Sequence, residues 1–276
     1  MDSQTTPSIP TLDDAQTTAY LARLGVARAS VTVDRAGLSD LHERHLRAIP
    51  FENLSIHLDE PIVLDVAGLV DKLTVRGRGG FCYELNGAFA ALLTTLGFDV
   101  AMYEARVGPD GGGMRFDHMC LRVRGGGHDH LADVGFGASF MRPLELGTTA
   151  PQSDPAGTYQ IVPAGAGEFD MVEDGEPQFR FTAVPRALSD FADACRFHQT
   201  SPASHFTQRT VCSLPTANGR VTISARTLTV TDHDRRSERV VGSDDELLDL
   251  YRGHFGIELD RVPQRTADAQ DKDHTP

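Results

Sequence analysis

The spacing of apolar residues changes once along the chain, from a period near 3.6 to a period of 2, at Gly97. Before it, Tyr20, Leu21 and Leu24 recur at helical spacing over residues 13–24, and Gly25 supplies a stop. A second helix is predicted from a Ser39 cap to Leu46, with Leu41, His42, His45 and Leu46 in period. Pro50 forces an extended turn into Phe51-Glu52-Asn53-Leu54, and a short helix is expected over 66–73. After a glycine-rich break a helix opens at Cys82. Leu85, Phe89, Leu92, Leu93 and Leu96 mark one face, and Gly97 stands where a left-handed terminal residue belongs.

Beyond Gly97, Phe98, Val100 and Met102 alternate, residues 109–113 form a turn, and 114–124 alternate as one strand. On that strand Phe116, His118 and Cys120 share a face. Gly125-Gly126-Gly127 separates it from a strand at 128–134, which predicts a hairpin. Further strands are expected at 158–162, at 178–183 and within 220–230, a connecting helix at 190–197, and a helix at 244–255 with Leu247, Leu248 and Tyr251 inward. Residues 1–12 are Ser/Thr/Pro-rich and the segment from Pro263 is polar and charged, so both ends are expected to fray. The pattern is that of an α+β chain in three parts: 1–97 helical, 98–188 rich in β structure, 189–276 mixed.

Composition narrows the function classes. With 276 residues, 40% hydrophobic and 24% charged, the chain is long enough for several layers of core. A net charge of −13 argues against a general nucleic-acid binder and against an anionic membrane surface. The apolar run at 87–98 is interrupted by Thr94 and Thr95 and is too short to span a bilayer. Residues 1–9 lack the basic start of a secretion signal, so a reducing cytoplasm is expected. Lys72 and Lys272 are the only lysines among 26 basic residues, and arginine forks suit phosphates and carboxylates. The four cysteines, Cys82, Cys120, Cys195 and Cys212, are widely spaced and show neither a disulfide framework nor zinc-ligand spacing. The chemical question is therefore whether one thiol is activated.

Cys82 is the candidate. A helix N-terminus carries partial positive charge and unpaired N–H groups, which lower a cysteine pKa and can receive an oxyanion. His118 is the candidate base, and Asp133 sits near the end of the next strand. Placing Asp133 opposite His118 pairs Val123 with His128 and leaves a four-residue loop at 124–127. A Cys82–His118–Asp133 relay is then available, with Asp133 orienting the imidazole. Cys120, Cys195 and Cys212 have no comparable surroundings. His128 and His130 face away from His118 in this register and have no third ligand at suitable spacing, so no metal is expected.

These residues are recognisable. Arg78-Gly79-Gly80-Phe81-Cys82-Tyr83-Glu84-Leu85-Asn86 resembles the R-G-G-x-C-x-E-x-N motif of arylamine N-acetyltransferases. Pro50-Phe51-Glu52-Asn53-Leu54 is similar to the family's P-F-E-N-L segment, and His118 and Asp133-Val134-Gly135-Phe136-Gly137 to its His and D-V-G-F-G elements. The separations of 36 and 15 positions along Cys82, His118 and Asp133 fit as well. The resemblance is close over residues 50–137 and looser elsewhere. It implies a helical bundle with the cysteine motif at 1–97, a β-barrel carrying His and Asp at 98–188, and a connecting helix with an α/β lid at 189–276, around a papain-like cysteine-enzyme core.

The implied reaction is ping-pong acetyl transfer from acetyl-CoA, a co-substrate with no tightly bound cofactor, to arylamines, arylhydrazines or arylhydroxylamines. Phe51, Tyr83 and Phe136 match family positions lining the acyl and arylamine pocket, and Phe206, in Ser204-His205-Phe206, is a further pocket candidate. Arg78 is expected in a salt bridge within the motif loop, and Glu84 and Asn86 in structural bonds there. Two departures stand out: Asp117 replaces a small hydroxyl residue, and the run 199–203 fits only loosely. A polyanionic donor also calls for a local basic patch at the pocket mouth. The competing readings are an acyl-thioester amide synthase closing a macrolactam, a thiol protease or transglutaminase, and a binding protein without turnover.

Overall fold

The computed structural model describes residues 7–264; of the ends expected to fray, residues 1–6 and 265–276 lie outside it, while Leu12 is buried and its N–H donates to Thr95 Oγ1 at 2.8 Å. The helical third comprises α1 (Asp14–Leu24), α2 (Arg35–Ala48), α3 (Leu54–His57), α4 (Val66–Thr74) and α5 (Cys82–Thr95). α1 opens with a reciprocal cap: Gln16 N–H donates to the Asp13 carboxylate at 2.8 Å and Asp13 N–H to the Gln16 amide oxygen at 3.0 Å. Gly25, at φ 67, closes it. α2 begins earlier than Ser39 implied. Asp34 accepts Gly37 N–H at 2.9 Å, and the extra turn buries Leu38 in phase with Leu41, His42 and His45.

α5 is the axis of the protein, with every residue from Cys82 to Leu93 buried, so it is packed on all sides. It ends as the glycine predicts. Gly97 adopts φ 99 while its N–H reaches Thr94 O and the Phe98 N–H reaches Leu93 O, which satisfies two orphan carbonyls.

The strands are β1 (Phe51–Glu52), β2 (Asp99–Val107), β3 (His118–Gly125), β4 (His128–Ala132), β5 (Leu144–Glu145), β6 (Gln152–Asp154), β7 (Gly157–Gly165), β8 (Glu168–Glu173), β9 (Glu176–Arg186), β10 (Val211–Pro215), β11 (Gly219–Ser224), β12 (Thr227–Asp232) and β13 (Arg235–Val240). β2 to β9 make one antiparallel sheet in the order β5-β4-β3-β2-β9-β8-β7-β6. It curls into a nearly closed barrel filled by Tyr103, Phe140, Tyr159, Phe179 and Phe181. The Gln152 side chain bridges the two edges, accepting Glu145 N–H at 2.7 Å and donating to Glu145 O at 3.0 Å.

The second sheet runs β1-β10-β11-β12-β13, so the Phe51–Glu52 segment of the helical third is an edge strand on C-terminal β structure. α6 (Ala192–Thr200) and α7 (His205–Gln208) lead into this sheet, and α8 (Asp244–Phe255) buries Leu247, Tyr251 and Phe255 against Cys212, Val221 and Ile223. No helix among the described residues is long and apolar enough to cross a membrane.

Three local expectations are corrected. The strand expected from residue 114 starts at His118, because the Asp117 carboxylate accepts Val107 N–H at 3.0 Å and Asp117 N–H closes a turn onto Met114 O. Phe116, at φ 64, therefore leaves the His118 face. The hairpin pairs Gly125 with His128 and Val123 with His130, with Gly126 and Gly127 as a two-residue turn at φ 62 and 87. Two positive φ values match the strand twist better than the longer loop expected. The register moves by an even number of residues, so the faces are kept. The connecting helix is a 3-10 turn at Leu188–Phe191 followed by α6, not one helix over 190–197.

Candidate active site

The barrel and α5 meet at the first turn of the helix. Cys82 begins α5, and Gly135 lies so close that a Cβ there would sit 2.7 Å from Cys82 Cα. Only glycine allows the D-V-G-F-G loop this approach. Cys82 is 3% exposed, with Sγ 4.0 Å from the Asp117 carbonyl oxygen. His118, the first residue of β3, places Nε2 2.6 Å from Asp133 Oδ2. A carboxylate can only accept, so Nε2 carries the proton and Nδ1 of the neutral ring is left with its lone pair. Asp133 lies just past the end of β4 and reaches His118 diagonally, not as the directly opposed partner that was expected.

Asp133 is fully buried and richly bonded. Its Oδ1 accepts from Asn86 Nδ2 and Gly135 N–H, both at 2.9 Å. Asn86 also donates to Met119 O at 2.7 Å and accepts Val134 N–H at 3.0 Å. Asn86 was expected to hold the motif loop; it holds the barrel's aspartate instead.

The motif loop is held by charge. Glu52 pairs with Arg78 at 2.9 Å, Glu84 with Lys72 at 2.6 Å, and Glu84 caps Phe81 N–H at 3.1 Å, all with buried side chains. Arg78 thus forms the expected salt bridge, and one of the two lysines is a buried partner of it. Gly79 lets the loop cross the Pro50 carbonyl, where a Cβ would clash at 1.9 Å.

Phe51 and Phe206 pack on the helical core and Phe136 on the barrel core. Phe136 packs edge-on against His118 at 5.2 Å. Phe51 and Phe206 are 6.2 Å apart, and Phe206 reaches Tyr83 through Phe81. Tyr83 is fully buried, and its hydroxyl donates to Phe116 O at 2.7 Å. A cavity of about 540 Å³ is lined in part by Ala138, Ser139 and Arg220, and not by Cys82. Arg115 and Arg186 flank Phe116 and both pair with Glu104, and Arg106 pairs with Glu168. Asp117 turns its carboxylate into the β2–β3 loop and only its carbonyl toward the thiol.

Residues 34–264 match the N-acetyltransferase family model. The chain belongs to the arylamine N-acetyltransferase family. It is 31% identical to human arylamine N-acetyltransferase 1, over 88% of this chain and 94% of the relative. It is also similar to the M. smegmatis arylamine N-acetyltransferase structure, with TM-score 0.83, 30% identity, and 94% and 97% of the two chains covered. The Mycobacterium marinum enzyme in complex with CoA aligns with TM-score 0.78 at 27% identity, over 87% and 92%. This arylamine N-acetyltransferase is thus an acyltransferase, and its α+β fold has the papain-like cysteine-enzyme core of the family.

The electrostatics of this acetyltransferase correct one simple expectation. A helix N-terminus alone does not make Cys82 acidic. Burial pushes the thiol well up and the Asp133 charge adds to that, while the N–H groups of Tyr83 and Met119 pull it down. Cys120 and Cys212 are likewise raised by burial, and Cys195 is pushed up to about 12. A thiolate at position 82 therefore depends on handing its proton to a neighbouring base. The His42–Asp133 and Asn86–Asp133 bonds escaped the sequence reading, because their partners lie 91 and 47 positions apart and the helical period that marks His42 says nothing of what it bonds.

Proposed function

We propose that this chain transfers the acetyl group of acetyl-CoA to arylamines and arylhydrazines by a ping-pong mechanism through acetyl-Cys82. Arylhydroxylamines are acetylated on oxygen by the same route. His118 Nδ1 takes the Cys82 proton, and the resulting imidazolium is stabilised by Asp133 across the 2.6 Å bond. The thiolate attacks the thioester carbonyl and forms a C–S bond. The backbone N–H groups of Tyr83 and Met119, which pull the thiol pKa down, receive the oxyanion in this reading. The intermediate collapses by breaking the bond to the CoA sulfur, which leaves with the imidazolium proton. The amine then attacks acetyl-Cys82, His118 takes its proton, and collapse returns the thiol and releases the amide. Phe51, Tyr83, Phe136 and Phe206 supply the flat apolar surface that an aromatic acceptor needs.

The observation that carries this reading is the His118–Asp133 bond beside a cysteine that starts a helix. Incubation with acetyl-CoA without acceptor, followed by intact-mass measurement and peptide mapping, tests it. One acetyl group on Cys82 is expected, absent in Cys82→Ala and strongly slowed in His118→Ala. Acetylation at another residue, or none, overturns it. A panel of anilines, hydrazines and hydroxylamines then ranks the acceptors.

A further inference from the structure

α2 sends one polar side chain from the helical third to the back of Asp133. His42 is fully buried, with Nδ1 2.9 Å from the Met141 carbonyl oxygen and Nε2 3.0 Å from the Asp133 backbone nitrogen. A carbonyl oxygen only accepts, so Nδ1 must carry the proton. An amide N–H only donates, so Nε2 must be bare. Both bonds exist in one neutral tautomer alone. The ring cannot swing away, because it lies flat on Phe140 at 5.6 Å and 11° and meets Phe89 edge-on at 6.2 Å. Met141 is anchored too, its N–H donating to Asp154 at 2.9 Å.

The place of this contact in the fold gives it meaning. The β4–β5 ladder, on whose side Asp129 O accepts Leu146 N–H, ends at the Leu131–Leu144 pair, two residues before Asp133. The Asp133 N–H bonds to His42 where a strand partner would otherwise be needed. Asn86, Gly135 and His118 fix the carboxylate, while His42 fixes the backbone that carries it. We infer that His42 is a positioning residue for acyl transfer: it bridges the end of the β4–β5 ladder, from the Asp133 N–H to the Met141 carbonyl, and sets where Asp133 presents its carboxylate to His118. This inference rests on the acyl-transfer reading above. A displacement of the Asp133 backbone would lengthen the 2.6 Å bond that stabilises the imidazolium.

The test compares His42→Leu, which keeps apolar bulk and removes both bonds, with His42→Gln, whose amide offers one acceptor and one donor. The Leu variant is expected to lower kcat/KM for acetyl-CoA by roughly 10- to 100-fold, the scale of a small misplacement in a catalytic group. The pH at which iodoacetamide begins to alkylate Cys82 rapidly should rise, because a less stabilised imidazolium takes the thiol proton less readily. Gln should recover most of the rate and bring that pH back down. A Leu variant that loses thermal stability alone, with an unchanged alkylation profile, would make His42 a purely structural residue and overturn the proposal. Nitrogen NMR of the unmodified protein decides the matter even if Leu does not fold. The His42 proton must sit on Nδ1 throughout the active pH range, and a proton on Nε2 there refutes the assignment. Absence of acetyl-Cys82 in the unmodified protein would instead remove the acyl-transfer reading, while the alkylation profile would still report on His42.

Discussion

Two buried polar networks meet at the first turn of α5, and they carry charge differently. Toward β1 and α4, Glu52, Arg78, Lys72 and Glu84 form a balanced set of full charges, two of each sign. Toward the barrel, Asp133 is the one permanent charge, dispersed over bonds from His118, Asn86 and the Gly135 N–H, with His42 behind it. In the first network each cation faces a carboxylate, so it holds backbone. In the second, His118 Nδ1 is left over as an acceptor, so it can move a proton. On the proposed reading, fixing the nucleophile and activating it are divided between the two sides of one helix turn.

The division is broken most severely by Asp133→Asn. Asn86 and Gly135 both donate to the Oδ1 position, so an asparagine must put its oxygen there and turn its amide toward His118. That forces the imidazole into the tautomer with a protonated Nδ1, which cannot accept the thiol proton. A fall in acetylation rate on the order of 10³- to 10⁴-fold is expected with the fold retained, the scale known for this change in a related triad. Single-turnover acetylation of Cys82 measures it, and a rate near that of the unmodified protein would take Asp133 out of the relay.

The charged side should respond in the opposite sense. Glu52→Gln leaves Arg78 buried beside a neutral amide, and breaking such a pair costs about 3–5 kcal/mol. Denaturant unfolding should register that loss, while the rate of Cys82 alkylation per folded molecule stays unchanged. A collapse of alkylation without loss of stability would mean that the charged cluster also activates the thiol.

The same contrast explains what could be read from residue order. α1, α5 and α8 were legible because caps, period and terminal glycines agree within each segment. Cys82 stood out as a helix start and His118 and Asp133 as residues of neighbouring hairpin strands, in another register than expected, and the family resemblance joined the three. The start of β3 was not legible, since alternation over residues 114–124 is overridden by the Asp117 carboxylate binding Val107 N–H. The pairing of Phe51 with Ser213 was equally hidden, because a two-residue strand has no period of its own. The acidity expected of Cys82 failed for a third reason: the depth of burial is a tertiary quantity, and it outweighs the helix terminus.

The smallest effect expected concerns acid stability within the charged cluster. For Glu52, burial raises the carboxyl pKa, but Lys72 and Arg78 together more than offset it, so its folded value lies below the usual carboxylate range. Its contribution is complete above the unfolded value and is lost as pH falls through the depressed folded one. Glu84 has the reverse sign. Burial raises it and Glu52 adds to that, with Lys72 opposing, so its folded value lies above the usual one. Protonation of Glu84 therefore favours the folded state, and this contribution fades as pH rises through its folded pKa. The two slopes oppose each other, so the net change attributable to the pair should be small. Unfolding free energies measured across the carboxylate range should separate them. Relative to the unmodified protein, Glu52→Gln should lose a component that rises with pH and Glu84→Gln one that falls with pH. Parallel curves for the two variants would mean that the cluster titrates as one unit, and the picture of a charge network with no proton to move would have to be given up.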